Sequence, residues 1–592
     1  MAQPEQTTAE INSAIHEKSQ LPYGDINSQS TGIEALPSID DEGESRMNKE
    51  KWLALFALGA AYMTAVQQGA CIGMIVKSID IALGPTTYYN WLLSASHITS
   101  TISLPLAGGL SDIFGRRWFM ISGGLIHTTS AIVALAAQDI PTMIASALIA
   151  GLGSGALMLS LAAVAELVPN NKRGVVQACL DLVGLPWIVF GALTGGAMVV
   201  YHGKYGFRIN FIIGIILNVL STVTLYFFYH PPSTGKRLEG RTKWQALKAL
   251  DWTGLLLLNV GVVLFLVSLS LGGATFPWRH AGVIAPLTIS IVFFIAFAIW
   301  EAKLAKDPFF EHSLFKGQGR KFSLFLVISF FLGGVSAAVG FWAQAVRGLW
   351  NGDPIKVGIL CIPGGMGAAI GGFAAGILIG KSKLFSTKNC LIYATGIKII
   401  SDFMISRLEP YGTYSEPWGL GFGFMSMLGS GFASVSLLVS VQLSCMDKDL
   451  GLATLLLSTA ASIGSATLIT VYSTIINHDL KKYAGLKVFK AVAPLGYYEP
   501  KKIKPLIYML INENIQGAAA LPGITPQILK AARDALKYVW AGAFRKVYMT
   551  AGACVATAFI VALVSKDVSH MMTNHVSVRL QNERHADEKE QT

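Results

Sequence analysis

Apolar and polar residues alternate along this chain in long blocks. Runs of roughly 20 apolar residues, each enough to cross a bilayer as a helix, recur at 52–76, 91–110, 118–137, 141–163, 175–200, 208–229 and 254–272. They continue at 281–301, 322–345, 357–380, 389–406, 418–441, 453–476 and 546–565. The pattern predicts an all-α polytopic membrane protein with about fourteen transmembrane helices. An even number puts both termini on one side.

Composition and charge sharpen this picture. Hydrophobic residues make up 52% of the 592 positions and charged residues only 14%, against about a quarter charged in a soluble domain. The net charge of +11 lies mostly in short turns, so it needs no nucleic acid to explain it. Turns after the even-numbered runs carry Arg116-Arg117, Lys172-Arg173, Lys236-Arg237-Arg241-Lys243-Lys248, Lys303-Lys306-Lys316-Arg320-Lys321 and Lys381-Lys383-Lys388. Opposite turns carry only Lys77, Lys204, Arg279, Arg347 and Arg407. Short-loop Lys/Arg excess marks the cytoplasm, so both termini are expected there, in a plasma or internal membrane.

Three segments stand outside the apolar blocks. The first 50 residues are polar, with Asp40-Asp41-Glu42-Gly43-Glu44, and are expected to be a disordered cytosolic tail. They hold no apolar core of a cleavable signal, so the first helix is expected to start insertion. Residues 478–545 form a lysine-rich external segment, long enough to translocate regardless of charge. Within it, "GITPQILKAARDALKYVWAGAF" has helical apolar spacing after Thr525-Pro526 and is expected to lie on the outer membrane surface.

Candidate chemistry begins at "GGLSDIFGRR", residues 108–117, where three glycines, an aspartate and two arginines crowd one turn. The glycines permit a tight turn and close helix approach. Asp112 can accept hydrogen bonds from a helix N-terminus. Arg116 can pair with Glu166 of "AELVPNNKRG", where Arg173 is a second basic partner. Setting topology alone would require the arginines but neither the aspartate nor the glycine spacing.

Ionisable residues within apolar runs are costly and start from a functional expectation. They are His97, His127, Asp181 and the pair Lys398 and Asp402, one helical turn apart. Each has a plain structural reading as well: hydrogen-bonded packing for the histidines, snorkelling for Asp181, self-neutralisation for the pair. Trp91, Trp187, Asn218, Asn259, Trp342 and Gln344 are further candidates for lining a pocket. The six cysteines (Cys71, Cys179, Cys361, Cys390, Cys445, Cys554) have no metal-site spacing and read as packing thiols. "GLGSGA" (151–156) and "LCIPGGMGAAIGGFAAG" (360–376) read as helix-packing stripes. "GILIGKS" (376–382) lacks the first glycine of a phosphate loop and ends a membrane helix, which excludes an ATPase motif there.

Gly108, Leu110, Asp112, Gly115, Arg116 and Arg117 resemble the loop signature between helices 2 and 3 of the major facilitator superfamily. "YGFRINFIIGI" (205–215), "DWTGLLLLNVGVVLFLVSLSLGGATFPW" (251–278) and "AQAVRGLW" (343–350) resemble the fourteen-helix drug:proton antiporter group. "AELVPNNKRG", "GLPWIVFGALTGG" and "DVSHMMTNHVSVRL" (567–580) are similar to the fungal trichothecene efflux pump family, to which fungal siderophore–iron transporters are related.

The resemblance implies two six-helix bundles, 51–230 and 303–566, joined through a loop and two inserted helices at 231–302, with a cytosolic tail at 567–592. It implies a monomeric, proton-coupled exporter of an organic toxin, drug or secondary metabolite, without cofactor or covalent chemistry. Asp112, Arg116, Glu166 and Arg173 would be its cytosolic latch. The alternatives are siderophore–iron import by proton symport and a non-transporting sensor. Three positions depart from antiporter patterns: Ala192 where a proline is usual, Ile149 where many carry arginine, and Gln67-Gln68 near a common aspartate. They leave the proton-carrying residue open among Gln67, Gln68, His97, His127, Asp181, Lys398 and Asp402.

Overall fold

The computed structural model describes residues 48–84, 86, 91–231, 242–272, 276–305, 320–350, 352–511 and 515–577. The polar tail before residue 48, the basic residues Lys236, Arg237, Arg241, Lys306 and Lys316, and residues 578–592 lie outside these.

The apolar runs become helices. They are α1 (Lys49–Leu83), α2 (Trp91–Phe114), α3 (Arg116–Ala136), α4 (Ile140–Leu157), α5 (Leu159–Leu167), α6 (Arg173–His202) and α7 (Arg208–Phe228). After the short α8 (Lys243–Ala249) come α9 (Trp252–Leu271) and α10 (Ala281–Ile299). The rest are α11 (Arg320–Gly340), α12 (Trp342–Leu349), α13 (Pro354–Leu378), α14 (Thr387–Ile405), α15 (Glu416–Ser444), α16 (Leu450–Val492), α17 (Pro500–Ile511), α18 (Ile515–Ala519) and α19 (Pro526–Val564). Eleven stretches among the described residues are long and apolar enough to cross a membrane. Helices α2, α11 and α14 stand at the three remaining predicted runs. Two predicted single helices are broken, at Met158 between α4 and α5 and at Phe341 between α11 and α12.

The helices sort into two groups by contact. In the first, α2 and α3 pack on α4, α1 packs on α6 and α7, and α3 packs on α7. The 151–156 glycine stripe lets α4 lie against two neighbours at once. A Cβ on Gly155 would stand 2.6 Å from Ser103 of α2, and one on Gly153 would stand 2.7 Å from the His127 nitrogen of α3. Thr99 and Ser103 then donate to the Leu148 and Leu152 carbonyls at 2.7 Å, so small residues and hydroxyls hold these helices together. In the second group α11, α13, α14, α15, α16 and α19 pack together. The groups meet along two seams, α6 on α13 and α2 on α16. In the 360–376 stripe, Gly365 packs on Val189 and Gly376 on Gly174 of α6. Helices α9 and α10 pair with each other, and α9 touches α2 and α16.

The region 478–545 differs most from expectation. Helix α16 has 43 residues, about 64 Å at 1.5 Å per residue, roughly twice the ~30 Å hydrocarbon thickness. Helix α19 has 39 residues and starts at Thr525, whose side chain accepts from the Ile528 N–H. The excess lengths pack on each other, and that of α16 packs also on α17, burying Leu480, Ala484, Val488, Leu506, Leu510, Ala532 and Leu536. The stretch expected to lie flat on a membrane is instead continuous with the last span. Its apolar face already has a protein partner, so a lipid surface is not needed to cover it.

Candidate functional site

Two places gather the polar chemistry. One is the end of the helices where α2 finishes and α3, α6 and α16 begin, called here the gate end. Gly115 has φ +95°, in the left-handed range open to glycine, and it turns α2 into α3 within one residue. Arg116 then opens α3 and points inward, 6% exposed. Its Nη2 lies 2.9 Å from Glu166 Oε1 at the end of α5 and 3.3 Å from Asp112 Oδ1 on α2. Asp112 and Glu166 are likewise buried. A buried charge is tolerated when paired and hydrogen-bonded, and here one guanidinium serves two carboxylates.

The second helix group closes over this cluster. A Cβ on Gly451, in the first turn of α16, would stand 2.5 Å from Arg116 Nη2 and 2.8 Å from Asp112 Oδ1. A side chain there would have to displace the buried pair, so the glycine lets that helix start lie directly against it. Gly108 of α2 meets Leu452 in the same way, its added Cβ 3.3 Å from that Cα. Arg173, 2% exposed, spans the seam: it donates to the Ala165 carbonyl at 3.1 Å and the Gln442 carbonyl at 2.7 Å. Arg117 does not join. It donates to the Tyr226 carbonyl and lies over the Trp118 and Tyr226 rings, 5.5 and 5.2 Å from their centroids.

The other place is a cavity of about 490 Å³ at mid-length, between the two groups. Its first-group wall includes Gly69, Ala70, His97, Trp187 and Ala192; the opposite wall includes Trp342, Gln344, Cys361, Lys398, Asp402 and Tyr548. Lys398 and Asp402 are each 1% exposed, with Nζ 3.6 Å from Oδ2. Between them stands Ser426 of α15, which accepts from Lys398 at 2.9 Å and donates to Asp402 Oδ1 at 2.5 Å. The approach of α14 to α15 is set by Gly429, whose added Cβ would stand 2.8 Å from the Ala394 carbonyl.

Gln67, Gln68 and His127 turn into the first group instead. Gln67 donates to Asn210 Oδ1 at 2.8 Å and Gln68 to Ser130 Oγ at 3.4 Å. His127 Nδ1 lies 3.1 Å from Asn218 Oδ1, within hydrogen-bonding distance. These are neutral contacts within the first group, and none of these side chains lines the cavity. Asp181 accepts from Tyr62 of α1 at 2.9 Å and faces Gly372 of α13 across the seam, 3.1 Å from where a Cβ would be. Trp187, Trp342 and Gln344 line the cavity; Trp91, Asn218 and Asn259 are not among its walls.

Ser426, Gly451 and Tyr62 carry contacts that sequence reasoning missed. A serine or tyrosine in an apolar run has no signal of its own. The acidic run Met446-Asp447-Lys448-Asp449 before an apolar helix is a capping signal that could have pointed to Gly451.

Comparison with known proteins places this architecture. Residues 56–591 match the family model described as fungal trichothecene efflux pump (TRI12). The chain is 25% identical to the trichothecene efflux pump TRI12 of Trichoderma arundinaceum, over 87% of this chain and 86% of that protein. It is 26% identical to the MFS-type transporter gkaD of Penicillium citrinum, over 74% of each. The fold is shared with the human organic anion transporter MFSD10 at TM-score 0.54 and 13% identity, covering 87% of this chain and all of that one. It is also shared with the proton:xylose symporter XylE at TM-score 0.52 and 13% identity, covering 88% and 98%. A helical membrane chain with this seam-crossing charge cluster, matched over nearly its whole length, is a membrane transporter of the major facilitator superfamily and belongs to the fungal trichothecene efflux pump family.

Proposed function

We propose that the chain is a proton-coupled exporter of an organic toxin, drug or secondary metabolite, working by alternating access. The observation that carries this is the 490 Å³ cavity walled by both helix groups, with a sealed charge cluster between the same groups at one end. Rocking of one group against the other would expose the cavity to alternate sides. Asp112, Arg116 and Glu166 are then the latch that holds the gate end shut, and Arg173 is its second basic member.

The gate end faces the cytosol in this reading, with both termini, and the α16–α19 helical cap stands outside. The bundles are 51–230 and 303–566, linked by 231–302, in a plasma-membrane monomer. Lys398 and Asp402 are the preferred proton-coupling pair because, among the described residues, they alone combine opposite charge, burial and a place in the cavity wall; Asp181 with Tyr62 is the reserve. Relatives named as efflux pumps support export.

The test uses purified protein in sealed vesicles with a radiolabelled trichothecene and an imposed proton gradient. Accumulation should follow the gradient and vanish on its collapse, with no response to ATP. Accumulation driven by ATP without a gradient would contradict the proposal.

A further inference from the structure

The segment after α19 does not leave the protein. Thr387, at the start of α14, donates to Asp567 Oδ1 at 2.7 Å, and its N–H donates to Ser569 Oγ at 2.8 Å. The Val568 N–H donates back to Thr387 Oγ1 at 3.1 Å, and Val568 is fully buried. These contacts fasten the segment to the second helix group.

It then crosses to the first. The backbone N–H groups of Asn170 and Asn171, at the α5–α6 junction, donate to the His575 and Thr573 carbonyls, both at 3.1 Å. The Asn171 side chain donates to Asn574 Oδ1 at 2.7 Å. Arg173 of the first group and Asp447 of the second approach only to 3.9 Å. Ser577 bridges them, accepting from Arg173 at 3.0 Å and donating to Asp447 at 2.6 Å. His575 Nε2 lies 2.6 Å from the other Asp447 oxygen.

We propose that His575 and Ser577 are positioning residues of the gate, and that segment 567–577 is a clamp joining the two helix groups at the gate end. This rests on the alternating-access reading above. The clamp is fixed to one group by chain connectivity and by Thr387. Its contacts with Asn170, Asn171 and Arg173 must therefore break whenever the groups part at this end. Asp112, Arg116 and Glu166 close the interior of the seam, while the clamp closes its rim. The rate at which the gate end opens is then set partly by residues outside the cavity, one of which, Ser577, also holds Arg173 of the latch.

The experiment uses the full chain with Asn171→Cys and Asn574→Cys, Cys361 kept as the cavity reporter, and the other five cysteines changed to alanine. A membrane-impermeant maleimide is applied to each face of oriented vesicles, before and after oxidation. Reduced protein should label at Cys361 from both faces. Disulfide formation should slow gate-face labelling by about tenfold or more, by removing the open-gate population, leave labelling from the cap face unchanged, and be undone by reductant. In a chain with native residues 171 and 574, His575→Ala with Ser577→Ala should speed gate-face labelling, and Ser577→Thr should restore the native rate. No disulfide, or equal gate-face labelling with and without it, would overturn the clamp. Reduced protein that never labels from the gate face would overturn alternating access itself.

Discussion

The two helix groups spend polarity in their interiors differently. Away from the gate cluster, and apart from Asp181 with Tyr62, the first holds Gln67 with Asn210, Gln68 with Ser130 and His127 with Asn218, all turned into their own group. The second holds Lys398 and Asp402, of opposite charge, bridged by Ser426 and set in the cavity wall. Neutral amides join helices for about 0.6 kcal/mol each, up to ~1.7. A charge at the centre of a membrane helix costs about 2.5–3.5 kcal/mol on insertion scales. Packing alone explains these three contacts. It does not explain retaining an ion pair where a neutral pair would do, which is the reason Lys398 and Asp402 are proposed for coupling.

The largest effect is expected when one charge of the second group's pair is removed. Lys398→Met leaves Asp402 buried without its cation, and breaking a buried pair this way costs about 3–5 kcal/mol. Folded yield and thermal stability should fall sharply in detergent, and the surviving protein should lose accumulation. Preserved stability would mean that Asp402 is held by something other than Lys398.

A smaller effect on folding and a large one on turnover are expected at the gate. Asp112→Asn removes one of the two carboxylates that pair Arg116, the one lying against the start of α16, while Glu166 still pairs the arginine. Turnover should fall by about tenfold or more, with substrate binding within about twofold of native. Unchanged turnover at normal expression would remove Asp112 from the latch.

Gln67→Leu sharpens the comparison from the other side. It removes one neutral contact, so stability should drop by about 0.6–1.7 kcal/mol, while transport per folded molecule and its pH profile stay native. A changed pH profile would move coupling into the first group.

The smallest effect is at Asp567, outside the membrane. Burial raises its carboxyl, but hydrogen bonds from Thr387, from Ser569 and from the Ser569 and Lys388 backbone outweigh this, leaving it below the ordinary 3.8. A depressed carboxylate stabilises the fold above its unfolded value and loses that contribution as pH falls through the folded one. Asp567→Asn should therefore lower the melting temperature slightly at neutral pH, by the equivalent of about 0.2–1 kcal/mol for a solvent-screened group. The gap to wild type should close below 3.8. A gap that widens on acidification would contradict the sign.

Much of this was legible in the sequence because the bilayer forces long apolar runs, and because charge within them is rare enough to notice. Arg116, Asp112 and Glu166 met as the loop spacing implied, and Lys398 and Asp402 paired across one turn. What stayed hidden was lateral. No periodicity reveals that Ser426 of α15 would stand between two residues of α14, or that Tyr62 would meet Asp181 across 119 positions. The helical cap was missed because its helices are amphipathic and lysine-rich, so they fall below membrane hydropathy while still burying a core. The clamp was missed because its contacts are mostly backbone and short polar side chains, with partners from 128 to 404 residues away in sequence.

The most direct measurement replaces both charges at once. Lys398→Met with Asp402→Asn leaves no unpaired charge, so the protein should remain folded and bind a radiolabelled trichothecene. In vesicles carrying an imposed proton gradient it should equilibrate that probe without concentrating it. Concentration of the probe to the native level across the pH range would contradict the account, and Asp181 with Tyr62 would take the pair's place.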